Sequence, residues 1–272
     1  MVMPMLKRRD NMGFISLNNS LFSGVRKDNS HNIISFVHDG KKYFFKRSKS
    51  TNQTYNELLG YEFALEFGID AIPYDIACLD GFTGSLSEDF SNYNYVFLED
   101  ILTGYYGEDR GKNNLYDVSL MFMSIYSEDR VVDLLEDFRR LLMFDIIIGN
   151  SDRHAGNILV DINRLRLGPV FDNEWLGNRD CYFSFSMTGH DDNTISEYLS
   201  ILSEDELNIF KNKLDIISES NILKIIDRIE KKIGSSLVDG VKEEIISKYR
   251  DYYNYLLRVY NAVKGRGIRL EK

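Results

Sequence analysis

Two apolar runs flank Asp39 and Gly40 in the first part of the chain. Residues 33–38 and 42–46 are rich in β-branched and aromatic side chains, which favour strands. Asp-Gly between two such runs is a strong signal for a two-residue turn, because both residues tolerate a positive φ. The pattern therefore predicts an antiparallel hairpin.

The rest of the first hundred residues combines one helix with two further strands. Apolar positions in residues 54–69 recur every three or four residues, as in a helix with one buried face, and Gly68 supplies its end. Short apolar runs at 72–79 and 94–98 predict strands. We therefore expect residues 1–100 to form a small β-rich lobe.

After about residue 115 the helical spacing dominates. Residues 129–150 predict a long helix that ends at Gly149, and apolar runs at 157–162 and 166–172 predict a strand pair that turns at Asn163. Three amphipathic stretches follow at 203–216, 220–233 and 237–263. We expect a second, mainly helical lobe at residues 101–272, so the predicted fold class is α+β with two lobes.

Composition narrows the class of protein. Hydrophobic residues make up 43% of the 272 residues, enough for a packed core, and the net charge of −9 argues against a large nucleic-acid-binding face. No run approaches the ~18 apolar residues of a membrane span, and the N-terminal residues show no signal-peptide pattern. Cys78 and Cys181 lack metal-binding spacing. We expect a cytoplasmic protein that binds neither membranes nor nucleic acid directly.

Three polar side chains lie where the predicted strand pair follows the long helix. Asp152 precedes Asn157 by five residues, and Asp172 ends the second strand. If those strands pair, Asn157 and Asp172 come close and offer two oxygens to Mg²⁺, which takes few protein ligands beside phosphate oxygens. Asp152 would then orient an attacking hydroxyl and accept its proton. Protein kinases show the same five-residue step before a metal-binding Asp.

Upstream residues complete a predicted nucleotide-binding set. Lys46 ends an apolar strand, as expected of a lysine that reaches phosphates, and Glu57 opens the next helix, where it could pair with Lys46. The hinge would be formed by Phe97, Leu98 and Glu99, whose backbone binds adenine, with Phe97 and Leu98 as apolar walls. Simpler interpretations are a strand-end lysine in a charged patch and a glutamate that stabilises a helix N-terminus.

The two residues that follow Asp152 have structural interpretations. His154 is a candidate site residue for which bracing of the loop is favoured over proton transfer. Arg153 either pairs with a nearby acid or contacts phosphate, and bracing is again the favoured role. Direct chemistry is therefore expected from Asp152 and Asn157.

Three segments resemble the HipA-like serine/threonine protein kinases. They are NELLGYEFALEFGIDAIPYDI at 56–76, FDIIIGNSDRHAGNILV at 144–160 and VFDNE at 170–174. The resemblance implies a two-lobed protein-kinase-like fold, ATP and Mg²⁺, and a protein hydroxyl as acceptor. It assigns the catalytic base to Asp152 and the metal ligands to Asn157 and Asp172. The chain is similar to compact members that lack the N-terminal subdomain of full-length toxins.

The expected nucleotide-covering loop departs from the G-x-G-x-x-G pattern. It falls in SLFSGVRKDNSHN, which contains a single glycine, Gly24. In the HipA-like family a serine of this loop can be autophosphorylated, which ejects the loop, and Ser20 and Ser23 are the candidates here. The resemblance also suggests an antitoxin partner.

Two other functions stay open. The D-R-H-x-x-N pattern at 152–157 also resembles phosphatidylinositol kinases, and D-x-x-x-x-N occurs in antibiotic phosphotransferases, so the acceptor could be a lipid or a small molecule. The negative net charge weighs against lipid. The third hypothesis is a nucleotide-binding pseudokinase module of a toxin–antitoxin pair. The presence of all the expected catalytic residues argues against it.

Overall fold

The computed structural model describes residues 14–17, 27–28, 33–90, 94–107, 115–173, 176–177 and 195–270. Ser20, Ser23 and Gly24 of the predicted nucleotide-covering loop lie outside the described residues. Their predicted roles therefore stay predictions.

A six-stranded sheet with one helix forms the described part of the N-terminal lobe. The sheet has the order β1-β5-β6-β4-β3-β2, and only the pairing of β1 with β5 is parallel. The elements are β1 (Ile15–Leu17), β2 (Lys27–Asp28), β3 (Ile33–His38), β4 (Lys41–Arg47), α1 (Thr51–Phe67), β5 (Asp75–Leu79) and β6 (Phe82–Glu88).

The predicted hairpin is confirmed. Strands β3 and β4 pair antiparallel with His38 opposite Lys41, and both turn residues, Asp39 and Gly40, have a positive φ. Apolar side chains on one face of the sheet, including Phe36 and Phe45, form a separate small core. This core holds β4 in place, and Lys46 is the next-to-last residue of that strand.

Helix α1 is anchored to the C-terminal lobe as well as to the sheet. The Ser50 hydroxyl accepts a hydrogen bond from the Gln53 N–H at its start, and Gly68 ends it with a positive φ, as predicted. The rings of Phe63 and Phe67 pack edge-on against aromatic rings of the C-terminal lobe, with centroids 5.2 and 5.4 Å apart. The buried apolar face of α1 is therefore part of the larger core.

The C-terminal lobe is mainly helical. Its described elements are β7 (Tyr95–Phe97), α2 (Leu98–Tyr106), α3 (Leu115–Ile125), α4 (Glu128–Ile148), β8 (Leu159–Asp161), β9 (Arg166–Leu167), α5 (Ile195–Ile201), α6 (Glu204–Lys213), α7 (Glu219–Ile233) and α8 (Val241–Leu270). The long helix and the three amphipathic C-terminal helices are confirmed, whereas α2 was not predicted.

A small three-stranded sheet lies at the junction of the lobes. Strand β8 pairs antiparallel with both β7 and β9, which confirms the predicted strand pair around Asn163. The chain passes from β7 directly into α2 at residues 97–98. Over the described part of the chain, no helix combines the length and the apolar character that crossing a bilayer requires.

Candidate active site

The segment that carries Asp152 and Asn157, residues 150–157, begins where helix α4 ends. Gly149 takes a positive φ of 68° and directs its N–H to carbonyls of the last helical turn. Asn150 is buried; its side-chain amide donates to the Asp145 carboxylate at 3.2 Å, and its Oδ1 accepts the Asp152 N–H at 3.1 Å. The helix end therefore fixes the backbone at Asp152.

A buried ion pair between Asp145 and Arg153 stabilises residues 150–157. Both Asp145 and Arg153 are buried, and Arg153 Nε lies 3.1 Å from Asp145 Oδ2. Burial raises the pKa of Asp145, and this effect outweighs the lowering by Arg153. Of the two roles considered for Arg153, pairing with an acid is the one that the structure records.

Arg153 also joins residues 150–157 to the segment that carries Asp172. Its Nη1 donates to the backbone carbonyls of Asn157, at 3.2 Å, and of Phe171. Because one nitrogen contacts both carbonyls, the backbone at Asn157 and the backbone just before Asp172 are held side by side. The structure thus places the two predicted metal ligands on adjacent segments.

Asn157 and His154 are ordered by local hydrogen bonds. The Asn157 amide donates from Nδ2 to the Asp152 carbonyl at 2.9 Å, which leaves its Oδ1 as the atom that a metal ion would bind. His154 Nδ1 accepts the Gly156 N–H at 3.1 Å. The second contact supports the bracing role of His154.

The Asp152 carboxylate lies close to charged groups of both lobes. Among the described residues none donates a hydrogen bond to it. Burial is the main cause of a raised pKa of Asp152, and the negative charge of Asp172 adds to it. The side chains of His154, Lys46 and Arg153 oppose this shift, so Asp152 lies within electrostatic reach of both lobes.

Lys46 and Asp172 meet across the junction of the lobes. Lys46 Nζ lies 2.6 Å from Asp172 Oδ1, and both side chains are about three-quarters buried. Lys41 and Lys42, in contrast, pair with Glu88 and Asp89 within the N-terminal lobe. The position of Lys46 therefore differs from that of an ordinary strand-end lysine.

Asp172 has an unusual backbone conformation for a residue other than glycine. Its φ is +56°, in the left-handed region. Its N–H donates to the Tyr74 hydroxyl at 3.3 Å. Burial raises the pKa of Tyr74 well above its ordinary value, and the charges of Glu57 and Asp172 add to the shift. Such conformations persist where the surroundings hold them, often in functional sites.

Glu57 contacts the residue after Asp172. The expectation that Glu57 opens the helix is wrong, since α1 begins at Thr51 and the side chain of Glu57 is fully buried. Its Oε2 accepts the Asn173 N–H at 2.7 Å. A helix-dipole role at the N-terminus is therefore also wrong, because that effect is confined to the first turn. The predicted pairing of Glu57 with Lys46 stays a prediction.

Aromatic rings lie where the hinge meets the Asp172 segment. The Phe171 ring contacts those of Phe90 and Phe97, with centroids 5.3 and 6.1 Å apart, and Phe90 also contacts Phe44 at 6.2 Å. Phe97 keeps 39% of its surface exposed. It can therefore provide the apolar wall that the sequence predicted.

Leu98 requires a correction. Its side chain is fully buried, and its N–H donates to the Ile158 carbonyl at 2.9 Å. It therefore offers neither a surface nor a backbone donor to a base, because the β7–β8 pairing extends to this residue. Glu99 follows in the first turn of α2, and its carboxylate and the His154 ring occupy the space beside Gly156 where a Cβ would lie.

A cavity of about 380 Å³ is lined by residues other than those of the predicted site. It is lined by the end of α1, by α4 and by the β8–β9 hairpin, including Asp137, Arg140 and Arg166. None of the predicted site residues lines this cavity, so it is not the predicted nucleotide-binding site.

Comparison with known proteins supports the fold. No protein-family model matches the chain, and no curated protein matches its sequence. Among solved structures the chain is similar to the crystal structure of a Helicobacter pylori proinflammatory kinase, CtkA, with 17% identity and a TM-score of 0.62. The match covers 92% of this chain and 98% of that one. The predicted two-lobed, kinase-like α+β fold is therefore confirmed.

Several residues that order the site were not predicted. Asp145 stands out in the sequence only as an acid inside an apolar helical run, and Asn150 only as part of a helix end. Tyr74 and Asn173 carry no local signal. Their partners are distant in sequence, as for Glu57 and Asn173, which are 116 positions apart.

Proposed function

We propose that the chain is an ATP- and Mg²⁺-dependent phosphotransferase, and that its acceptor is a serine or threonine hydroxyl of a protein. The observation that carries the proposal is the ion pair between Lys46 and Asp172, next to the Asp152 carboxylate. It brings a cation from the N-terminal lobe and two acids from the C-terminal lobe to one place. Phosphoryl transfer needs these groups together.

The donor set fits a magnesium–nucleotide complex. Asp172 offers a carboxylate, and the orientation of the Asn157 amide leaves Oδ1 as the second protein oxygen. Within the described ranges no cluster of three or more His, Cys, Asp or Glu side chains could hold a metal ion. One Asp and one Asn oxygen would suit Mg²⁺, which takes few protein ligands beside phosphate oxygens and water.

The residues divide the work of the transfer among them. Bound Mg²⁺ supplies positive charge that neutralises the phosphate oxygens of ATP. Lys46 binds phosphate oxygens once it separates from Asp172, and the ring of Phe97 stacks on the base. Asp152 accepts the proton of the attacking hydroxyl, while the oxygen of that hydroxyl bonds to the γ-phosphorus and ADP leaves.

The finer assignment to the HipA-like kinases rests on the three sequence segments. Within that assignment, autophosphorylation at Ser20 or Ser23, an antitoxin partner and a cytoplasmic location are part of the proposal. The similarity to a proinflammatory kinase of known structure supports a kinase in general.

The proposal is tested with purified protein, ATP labelled on the γ-phosphate, and Mg²⁺. Label is measured separately in protein, lipid and small-molecule fractions of a lysate, for wild type, Asp152→Ala and the control Asp227→Ala. Asp227 is an exposed residue of α7 that pairs with Lys231. We expect label in protein, and a loss of about a hundredfold or more for Asp152→Ala only, because general-base catalysis contributes that much.

Each other outcome has a definite meaning. Label confined to the lipid fraction would show that the acceptor is a lipid, and label confined to small molecules would show that it is a small molecule. Either result would contradict a protein acceptor. No label in any fraction would contradict the enzyme and favour a pseudokinase module. Equal label for Asp152→Ala and wild type would show that Asp152 is not the base.

A further inference from the structure

Asn173 is buried at the centre of the site, although the proposed reaction gives it no chemical role. We propose that Asn173 is a positioning residue that fixes helix α1 and the catalytic loop (residues 150–157) relative to each other. Its effect on catalysis rests on the proposed function. Its effect on the structure does not, and can be measured independently.

The main chain of Asn173 holds helix α1. Its N–H donates to Glu57 Oε2 at 2.7 Å, and both residues are almost completely buried. A hydrogen bond to a buried charged group is among the stronger polar contacts in proteins. The position of α1 is therefore tied to the segment that contains Asp172.

The side chain of Asn173 holds the catalytic loop. Its Oδ1 accepts a hydrogen bond from Arg153 Nη2 at 2.7 Å. The other guanidinium nitrogens of Arg153 contact Asp145 and the carbonyls of Asn157 and Phe171. Asn173 thus connects helix α1, through its backbone, to the network that orders the loop, through its side chain.

Close packing makes this connection specific. Gly60 lies three residues after Glu57 on the same side of α1. A Cβ at Gly60 would lie 2.4 Å from Asn173 Cβ and 2.8 Å from its Nδ2. The helix therefore accepts Asn173 because it has no side chain at this point.

Asn173 also follows the residue with the left-handed backbone. Asp172 has a φ of +56°, which needs surrounding contacts to persist. The Asn173 contacts to Glu57 and Arg153 supply two of them directly after Asp172. Loss of the amide should therefore disturb Asp172 together with α1 and the loop.

Hydrogen exchange measured by mass spectrometry tests the connection. Asn173→Ala keeps the backbone N–H but removes both the Arg153 contact and the amide group that packs against Gly60 of α1. We therefore expect faster exchange in both α1 and residues 150–157. Asn173→Asp keeps an acceptor oxygen and should exchange like wild type in the loop. The control Asn221→Ala, which loses one bond from Nδ2 to the Ile216 carbonyl, should leave both regions unchanged.

A kinetic measurement separates positioning from simple loss of stability. In the active protein we expect Asn173→Ala to lower kcat about tenfold or more, which corresponds to one lost hydrogen bond to a charged group. We also expect it to raise the Mg²⁺ concentration at half-maximal rate, and Asn173→Asp to restore both. Asn221→Ala should change neither per folded molecule.

The outcomes decide the proposal in each case. Faster exchange in only one region or in neither, or an Asp variant that exchanges like the Ala variant, would overturn it. If Asn173→Ala does not fold, the comparison of Asn173→Asp with wild type decides: wild-type exchange supports the proposal, and loss of loop protection overturns it. A wild type without transfer activity would contradict the proposed function, while the exchange data would still test Asn173.

Discussion

At the scale of single residues, Asp152 combines a favourable position for catalysis with a cost in stability. Burial and the charge of Asp172 raise the pKa of Asp152, so the folded state binds this proton more tightly than the unfolded chain does. A group with a raised pKa in the folded state contributes stability at low pH and loses it as the pH rises through that pKa. The ionised form of Asp152, which is the proposed base, therefore destabilises the fold.

Asp152→Asn should reverse that cost. We predict that its midpoint of thermal unfolding is higher than that of wild type at neutral pH, because no charge is buried. The difference should shrink as the pH falls through the raised pKa of Asp152, since wild type then carries a neutral carboxyl group. Scanning calorimetry over a pH series checks this, with Asp227→Asn as the exposed control. A variant less stable than wild type at neutral pH would contradict the raised pKa.

At the scale of helices and strands, two glycines in helices occupy opposite surroundings. Gly60 of α1 packs against Asn173, whereas an added Cβ at Gly104 of α2 meets nothing within 4 Å. Alanine is favoured over glycine in a helix by about 1 kcal/mol. The two positions therefore separate helix propensity from packing.

We predict opposite effects for the two substitutions. Gly104→Ala should raise the free energy of unfolding by up to about 1 kcal/mol. Gly60→Ala should lower it by about 1–3 kcal/mol, because the new methyl group forces Asn173 out of its place. Urea denaturation measures both. Equal stabilisation by the two substitutions would mean that α1 and Asn173 are not closely packed.

The elements that the sequence predicted are those that local chemistry determines. The hairpin at Asp39 and Gly40 and the helix ends at Gly68 and Gly149 depend on residues that accept a positive φ. Strand β6 was not predicted, because its polar residues Ser85 and Ser87 interrupt the apolar pattern, although both are buried. Its place in the middle of the sheet is determined by partners elsewhere in the chain.

The sequence indicated the proposed site residues but not the residues that support them. Spacing and resemblance identified Asp152, Asn157 and Asp172, and the structure brings them to adjacent segments. The contact of Lys46 with Asp172 joins positions 126 residues apart. The contacts of Asn173 also connect distant segments, and no local pattern distinguishes an asparagine with this role from one in a turn.

At the scale of the whole molecule, the proposed site forms where the N-terminal sheet meets the C-terminal lobe. The outer face of the sheet has its own apolar core, whereas α1 shares the core of the C-terminal lobe. Arg228 of α7 pairs with Glu62 and Glu66 of α1, which adds to this attachment. Lys46 therefore belongs to the sheet, whereas Asp172 and Glu57 belong to the part formed by α1 and the C-terminal lobe. A nucleotide bound between Lys46 and Asp172 would connect the two.

The most direct test of this account is calorimetric titration of ATP into the protein with and without Mg²⁺. We predict that Mg²⁺ tightens binding to wild type and to Asp227→Ala by about tenfold or more, which is about 1.4 kcal/mol. Asp172→Ala should bind ATP with the same affinity in both conditions, because it lacks the carboxylate that holds the metal. Full Mg²⁺-dependent tightening in Asp172→Ala, or no ATP binding by wild type, would contradict the proposed site.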